Sequence, residues 1–232
     1  MRLDKYLAQM GAGTRSDLKK AIRAGRVTVG GEKVKDSAMQ VTESDEICLD
    51  GRRIVYEQFV YYMLHKPAGV ISASRDAGER TVLDLIDEEK RKDLFPVGRL
   101  DRDTEGLLLI TNDGELAHRL LSPKHHVDKV YFARLDGPVG EEEKRLFAQG
   151  LIVDDTLTAL PAQLEILEPA SEVMVTIREG KFHQIKRMFA AVGREVVYLK
   201  RLSMGPLRLD ESLPAGAYRR LTEAEESAIM GA

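Results

Sequence analysis

A charged segment bounded by two glycines leads directly into an apolar run near the middle of the chain. Residues 98–106 read GRLDRDTEG, and residues 107–111 read LLLIT before a turn-forming NDG. The apolar run predicts a buried strand. A carboxylate directly ahead of such a strand, here Asp101, is held at the edge of the core, where a catalytic carboxylate has to be positioned. Spacing alone favours the simpler interpretation of an acidic surface loop, because charged residues are mostly exposed.

From residue 59 onward, short β-rich runs alternate irregularly with helical patterns. Strands are predicted at 59–64, 70–72, 107–111, 129–135, 162–167, 172–178, 196–201 and 217–221. Helices are predicted at 81–87, 115–121, 141–149, 182–192 and 222–229. Consecutive strands separated by turns, with helices interspersed, favour an α+β fold with a mostly antiparallel sheet. The length of 232 residues suits one large domain and one small domain.

The beginning of the chain has the pattern of a small separate domain. Apolar residues at helical spacing predict a helix over 3–10, and Ser16 is the expected N-cap of a second helix that Gly25 ends. Gly30-Gly31 lies between two short β-rich runs and predicts a tight hairpin. Polar residues 52–58 are the predicted linker between domains at 1–55 and 59–232.

Basic residues are concentrated in two parts of a chain whose net charge is −3. Residues 1–35 contain nine lysine and arginine residues against three acidic ones, and residues 178–208 contain eight against two. Such blocks indicate local surfaces for polyanions, although solvated helix faces produce the same pattern.

The composition argues against several other classes of protein. No apolar run approaches the ~20 residues of a membrane span, and the N-terminus lacks the apolar region of a signal peptide. Cys48 is the only cysteine, which rules out an intrachain disulfide and favours a cytoplasmic protein. Walker and GxGxxG glycine motifs do not occur, and the five histidines lack metal-ligand spacing. No cofactor, metal or membrane partner is therefore expected.

Four segments, in family order, resemble motifs of the pseudouridine synthases, and within them the subfamily that modifies bacterial small-subunit ribosomal RNA. They are residues 61–69 (YYMLHKPAG), 98–108 with its GRLD sequence, 129–131 (KVY) and 179–188 (EGKFHQIKRM). Residues 2–7 and 15–34 resemble the S4 RNA-binding domain, with Gly-Gly at the hairpin turn where the family usually has Asn-Gly. The resemblance covers essentially the whole chain. It implies a small S4-like RNA-binding domain followed by a catalytic domain.

The resemblance also implies an enzyme that isomerises uridine to pseudouridine without a cofactor. It assigns the catalytic carboxylate to Asp101, the cation that keeps this carboxylate ionised to Lys186, and the tyrosine that stacks on the target base to Tyr131. The sequence leaves open whether Asp101 attacks C1′, adds to the base or takes a proton from the sugar. Without the resemblance, Lys186 is equally a plain helix cation and Tyr131 an ordinary strand residue.

Substrate contacts are expected from further residues. Arg99 matches the residue that fills the space left by a flipped base, and an ion pair with Asp103 or Glu105 is its structural alternative. The other substrate-binding residues are expected to be Leu100, Ile177, Arg187 and Lys66, the last two at phosphates, with a fold-building role as the alternative for Lys66. The RNA-binding residues of the N-terminal domain are expected to be Arg2, Lys5, Arg15, Lys19, Lys20, Arg23 and Arg26.

The expected partner is small-subunit ribosomal RNA or an assembly intermediate that contains it, bound by a monomer. A synthase for large-subunit ribosomal RNA would share the mechanism, although residues 122–126 (SPKHH) and 182–193 are more similar to the small-subunit group. A noncatalytic RNA-binding or ribosome-assembly protein is a second alternative, but it would have no use for Asp101, Tyr131 and Lys186 together. A hydrolase that releases uracil is disfavoured, because the similar enzymes recapture the base.

Overall fold

The computed structural model describes residues 1–87, 93–122 and 125–231, and its contacts divide the chain into two compact units. One unit comprises Met1–Phe59 with the described part of Ile86–Asp93, and the other comprises Val60–Leu85 and the described residues from Leu94 onward. Positions 123 and 124 of the predicted small-subunit motif at 122–126 lie outside the described residues.

The smaller unit packs two helices against a four-stranded antiparallel sheet. Its elements are α1 (Leu3–Gln9), α2 (Arg15–Arg23), β1 (Val27–Val29), β2 (Glu32–Lys33), β3 (Ile47–Leu49) and β4 (Arg52–Ile54). The order in the sheet is β2-β1-β3-β4. Leu3, Leu7, Leu18 and Ile22 form the helix side of the core and are almost completely buried, as their helical spacing predicts.

Three sequence predictions for this unit can be compared with the structure. The hairpin is confirmed, because Gly30-Gly31 joins β1 to β2 with φ angles of 60° and 84°. The predicted N-cap is wrong, because α2 begins before Ser16 and the side chain of Thr14 accepts a hydrogen bond from the Asp17 N–H at 3.2 Å. The predicted linker is wrong in its first part, because Arg52–Ile54 is a strand paired with β3.

The larger unit is built on a nine-stranded sheet within the described residues. Its strands are β5 (Tyr61–Lys66), β6 (Phe95–Pro96), β7 (Glu105–Thr111), β8 (Lys129–Leu135), β11 (Gln163–Ile166), β12 (Glu172–Ile177), β13 (Val196–Met204), β14 (Leu207–Arg208) and β15 (Tyr218–Arg220), while β9 (Leu151–Asp154) and β10 (Leu157–Ala159) form a separate hairpin. The order is β11-β12-β8-β13-β7-β5-β15, with β14 paired to β13 and β6 to β7. The helices are α3 (Gly114–Leu121), α4 (Glu141–Gln149), α5 (Gln184–Ala191) and α6 (Glu223–Met230), and a 3-10 helix spans Val82–Leu85.

The strand pairings described in this sheet are antiparallel with one exception, which confirms the predicted α+β fold with a mostly antiparallel sheet. The exception is β7 with β13, which run parallel where Gly106 faces Arg201. Gly106 has a φ of 107°, and a Cβ atom there would lie 2.2 Å from the carbonyl oxygen of Arg201. Glycine therefore allows the strand that follows Asp101 to lie directly against β13.

The remaining differences from the predicted elements concern short segments. Residues 70–72 do not form a strand, since only Ile71 makes an isolated bridge, to Thr81. The helix predicted at 81–87 is a 3-10 helix of four residues. The β9–β10 hairpin was not predicted, because strands of three or four residues are too short to show a periodic pattern.

Candidate active site

The larger unit contains a cleft of about 530 Å³ beside the loop that leads into β7. Asp101 lines the cleft from this loop, Tyr131 from β8, and Lys181 and His183 from the segment before α5. Three of the four motif segments predicted from the sequence therefore meet at one place, although they lie far apart along the chain.

Asp101 lies in a loop whose backbone is fixed on both sides of the carboxylate. The hydroxyl of Ser72 donates to the carbonyl of Leu100 at 2.8 Å and accepts from the N–H of Leu100 at 3.0 Å. The N–H of Thr104 donates to the carbonyl of Asp101 at 3.1 Å. The carboxylate is thus held in advance of substrate binding, which is what a catalytic group requires.

Lys66 supports the same loop from inside the protein. Its side chain is fully buried, and its ammonium donates to the backbone carbonyls of Pro67, Arg102 and Thr104 at 3.0, 3.3 and 2.8 Å. Burial lowers the pKa of Lys66 to about 8. The predicted phosphate contact is therefore corrected to the fold-building alternative, because no part of this side chain is open to a ligand.

Two basic side chains face the Asp101 carboxylate at distances too long for a hydrogen bond. The ammonium of Lys186 and Nε2 of His183 each lie 3.6 Å from a different carboxylate oxygen of Asp101. Both separations are longer than a hydrogen bond, and 26% of the Asp101 side chain stays exposed. The carboxylate therefore has the Lys186 ammonium close by, while part of its surface stays open to a substrate.

Asp103 shares Lys186 with Asp101. Lys186 donates a hydrogen bond to Asp103 at 2.5 Å, and the Asp103 side chain is 71% exposed. Partial burial acts to raise the pKa of Asp103, but the hydrogen bond and charge of Lys186 outweigh it and hold the pKa below its ordinary value. The sequence analysis considered Asp103 only as a possible partner of Arg99 and did not predict this bond.

The segment before α5 presents an aromatic surface at the cleft. His183 is the N-cap of α5 and has a φ of 48°, in the left-handed region that residues other than glycine seldom adopt. Its ring stacks on Phe182, with centroids 3.8 Å apart and planes inclined by 18°. Phe182 is 70% exposed. Strained backbone of this kind concentrates at functional sites.

The apolar part of the site is formed by three predicted residues. Tyr131 and Ile177 come from the adjacent strands β8 and β12, and Leu100 comes from the loop before β7. All three are buried. The structure therefore brings these three side chains together with Asp101 and Lys186 around one cavity, whose walls are partly apolar and partly charged.

Comparison with known families agrees with this arrangement. The family model described as RNA pseudouridylate synthase matches residues 60–191, which is more than half of the chain. The chain belongs to the RNA pseudouridylate synthase family. The model of the S4 domain matches residues 1–47. The resemblance inferred from the four motifs and the N-terminal pattern is thereby confirmed.

Relatives of this pseudouridylate synthase match it over nearly its whole length. The uncharacterized RNA pseudouridine synthase YtzG of Bacillus subtilis is 47% identical over 97% of this chain and 96% of its own. The ribosomal small subunit pseudouridine synthase A of Yersinia pestis is 42% identical over 100% of this chain and 99% of its own. The Escherichia coli protein of the same name is 40% identical over 99% and 100%. A crystal structure of a pseudouridylate synthase has a TM-score of 0.70 and 41% identity, covering 99% of both chains.

Arg99 lines the cleft of this pseudouridylate synthase beside Asp101. Among the described residues, Arg99 forms no ion pair with Asp103 or Glu105, which was its structural alternative. Glu105 instead accepts a hydrogen bond from the hydroxyl of Tyr198 at 2.7 Å, and Asp103 binds Lys186. The surroundings of Arg99 therefore favour its predicted place in the substrate site over a structural ion pair.

Arg187 is engaged within the protein. Its guanidinium donates to both carboxylate oxygens of Asp154 at 2.5 to 3.1 Å and to the hydroxyl of Thr156 at 2.5 Å. The hydrogen bonds from Arg187 hold the pKa of Asp154 well below its usual range. The predicted phosphate contact of Arg187 is therefore corrected. Its guanidinium is bound to Asp154 and so connects α5 to the β9–β10 hairpin.

In the S4 unit, three of the predicted RNA-binding residues converge on Asp4. Arg2 lies 3.0 Å, Arg15 3.3 Å and Lys19 3.9 Å from the carboxylate, whose side chain has no exposed area. The hydrogen bond from Arg2 is the main cause that lowers the pKa of Asp4. One internal carboxylate thus arranges three half-exposed cations on a single surface.

The other four predicted RNA-binding residues are less constrained. Lys20 pairs with an acidic residue of its own helix at 3.6 Å, and Arg26 forms a bidentate pair with Asp50. Lys5 and Arg23 are exposed. The basic block predicted from composition is therefore a real surface feature, but part of its charge is neutralised locally.

The sequence analysis missed the parts that Ser72, Phe182 and His183 play in this site. The sequence analysis found no metal-ligand spacing among the histidines and gave them no role in the site, whereas the position of His183 three residues before Lys186, inside the fourth motif, was a usable signal. Ser72 had no signal, because its contact with Leu100 joins residues 28 positions apart.

Metal sites and membrane-spanning helices are both absent from the part of the chain that the structure describes. No group of three or more histidine, cysteine or acidic residues there could hold a metal ion. No helix there is both long and apolar enough to cross a bilayer. The buried His65 instead has its Nδ1 2.7 Å from the carbonyl of Leu213.

Proposed function

We propose that this protein converts a specific uridine of small-subunit ribosomal RNA to pseudouridine. The observation that carries the proposal is the carboxylate of Asp101, which Ser72 helps to fix, which Lys186 and His183 face at 3.6 Å, and which opens onto the cleft. The relatives named for the small ribosomal subunit, at 40% and 42% identity over the full chain, support the choice of RNA.

The chemistry fits the residues that line the cleft. The N1–C1′ bond breaks, the base turns, and a C5–C1′ bond forms; the C5 proton leaves and N1 is protonated, so no external group is consumed. Asp101 supplies the carboxylate that acts on the electron-poor nucleoside, and the Lys186 ammonium faces that carboxylate at 3.6 Å. Tyr131 and Ile177 enclose the flipped base, and Arg99 fills the space it leaves in the RNA. Flipping costs a few kcal/mol, which contacts elsewhere on the RNA offset.

We propose that residues 1–55 form a domain that binds RNA and that residues 59–232 form the catalytic domain. The cations arranged around Asp4 offer a rigid basic surface that binds phosphates and recognises RNA by shape. We propose a cytoplasmic monomer whose partner is the ribosomal RNA or an assembly intermediate that contains it.

The test is to map pseudouridine in ribosomal RNA from cells with and without the protein, by carbodiimide treatment and primer extension. One stop in small-subunit RNA should disappear without the protein. Wild type should restore it and Asp101→Asn should not. Asp103→Asn is the matched control, because it removes the same charge from the same loop at a side chain that is 71% exposed.

Two results would overturn the proposal in different ways. A stop lost only in large-subunit RNA would keep the reaction and correct the substrate. A stop that Asp101→Asn restores as well as wild type would remove Asp101 from catalysis and favour the noncatalytic RNA-binding alternative.

A further inference from the structure

Two buried cations form part of the floor of the cleft. Lys129 on β8 is 5% exposed and Arg201 on β13 is 2% exposed, and both line the cleft that reaches Asp101. They lie on the same face of the sheet as Tyr131, because Lys129 is two residues before Tyr131 and Arg201 is its cross-strand neighbour. The mechanism proposed above uses neither cation.

Neither cation has an acidic partner among the residues that the structure describes. The Lys129 ammonium donates to the carbonyl of Val127 at 3.0 Å, and Nε of Arg201 donates to the carbonyl of Leu107 at 2.8 Å. Nη2 of Arg201 is buried and has no hydrogen-bond partner within the described residues. Asp128, the nearest acid in the sequence, is directed to Arg178 at 2.8 Å.

Such a pair is unfavourable unless an anion joins it. Lysine and arginine are almost never fully buried without a partner, and two like charges raise the cost further. Burial, together with the charge of Arg201, lowers the pKa of Lys129 to about 8. Because the cleft side is where both residues can be approached, the missing anion is expected to arrive with a ligand.

We propose that Lys129 and Arg201 form a subsite for a phosphate group of the RNA backbone adjacent to the target uridine. This inference rests on the proposed function. Phosphate is the permanent anion of RNA, whereas the uracil ring is neutral until its bond to the sugar breaks. A planar guanidinium beside an ammonium suits phosphate oxygens. The close approach of Gly106 to Arg201 fixes the strand that carries the guanidinium.

The experiment compares wild type with Lys129→Met in the full-length protein. Binding of fluorescently labelled hexauridylate is measured by anisotropy at several salt concentrations, with thermal unfolding measured alongside. We expect the affinity of Lys129→Met to fall about tenfold, and the slope of log K against log salt to shrink by about 0.7, the value for one lost phosphate contact on a single strand. The midpoint of unfolding should stay level or rise, because a buried charge has been removed.

Two variants keep the result interpretable. Lys129→Arg retains the charge and should retain most of the affinity and the salt slope. Lys200→Met removes the same charge from β13, on the opposite face from Arg201 and away from the cleft floor, and should leave the slope unchanged. An uncharged methylphosphonate version of hexauridylate should bind wild type and Lys129→Met alike.

Two outcomes would overturn the phosphate subsite. Unchanged binding and slope with a lower unfolding midpoint would show that Lys129 is structural. Unchanged binding with reduced turnover would assign the pair to the base and not to a phosphate. Failure of the proposed function looks different: with no pseudouridine formed in ribosomal RNA, the effect of Lys129→Met on hexauridylate binding would still be present.

Discussion

Two aspartates of this protein, one in each unit, lie among basic side chains, and the way they are contacted separates them. The side chain of Asp4 has no exposed area and accepts hydrogen bonds from Arg2 and Arg15. Asp101 is 26% exposed, and the nearest cation, Lys186, stays 3.6 Å away. The Asp4 carboxylate thus has its hydrogen-bond partners inside the protein, whereas the Asp101 carboxylate keeps hydrogen-bonding capacity for a substrate.

A carboxylate surrounded by basic side chains is therefore not a functional site for that reason alone. A carboxylate whose hydrogen-bonding capacity is filled stabilises the groups around it, whereas one kept short of its partners can bond to a substrate. The same substitution should therefore affect different properties at the two aspartates, lowering turnover at Asp101 and stability at Asp4.

The largest effect is expected from Asp101→Asn. Turnover should fall by at least ~10³-fold, because the carboxylate is proposed to act on the substrate itself. RNA affinity and the thermal midpoint should change little, since the hydrogen bonds that fix this loop are made to its backbone atoms and not to the Asp101 carboxylate. Tritium release from C5-labelled RNA measures the rate. Residual turnover within tenfold of wild type would place the catalytic group elsewhere.

The second largest effect is expected from Lys186→Met, because it removes the cation beside Asp101. Turnover should fall by about 100-fold, and RNA affinity should change less. Lys186→Arg should recover part of the loss. Asp103→Asn removes only an exposed partner of Lys186 and should alter turnover by less than about fivefold. Equal losses for Lys186→Met and Asp103→Asn would mean that the Lys186–Asp103 bond, and not Asp101, is what matters.

Asp4→Asn should act on stability. The converging cations lose the carboxylate that holds them together, so the unfolding midpoint should fall by about 5 °C in circular dichroism. Turnover per folded molecule should remain near wild type at saturating RNA. A stable Asp4→Asn protein with weakened RNA binding would show that Asp4 arranges the basic surface without stabilising the unit.

The smallest expected effect is a change in the stability difference between wild type and Asp4→Asn at acidic pH. Because the folded-state pKa of Asp4 is lowered by its hydrogen bond to Arg2, its contribution to stability is complete above the ordinary aspartate pKa and is lost as pH falls through the folded value. The difference in unfolding midpoint between wild type and Asp4→Asn should therefore be constant from pH 7 to about 5. It should shrink below about pH 4, and a difference that grows in acid would contradict this.

Much of the fold could be predicted because its longer elements have strong patterns. The apolar run at 107–111 and the alternating residues of 129–135 gave strands that the structure contains. Short elements could not be predicted in the same way. The strand Arg52–Ile54 is polar and exists only because β3 pairs with it, so tertiary context overrides the local pattern.

The site was predictable to the extent that its motifs are contiguous. Asp101, Tyr131 and Lys186 were named from short segments, and the structure places them around the same cavity. The roles of Lys66 and Arg187 depend on partners 31 to 38 positions away, and no local pattern indicates them. Whether a lysine meets carbonyls inside the fold or a ligand outside it is decided by packing.

The location of β13 in the sheet has a consequence for the growing polypeptide. β13 lies between β7 and β8, so residues 196–204 set the distance between the loop of Asp101 and the strand of Tyr131. A nascent chain that ends before residue 196 already carries all three proposed catalytic residues, yet it lacks the strand that spaces them. The cleft is therefore completed only after residues 196–204 have joined the sheet, and a nascent chain that ends before them lacks the strand between its two walls.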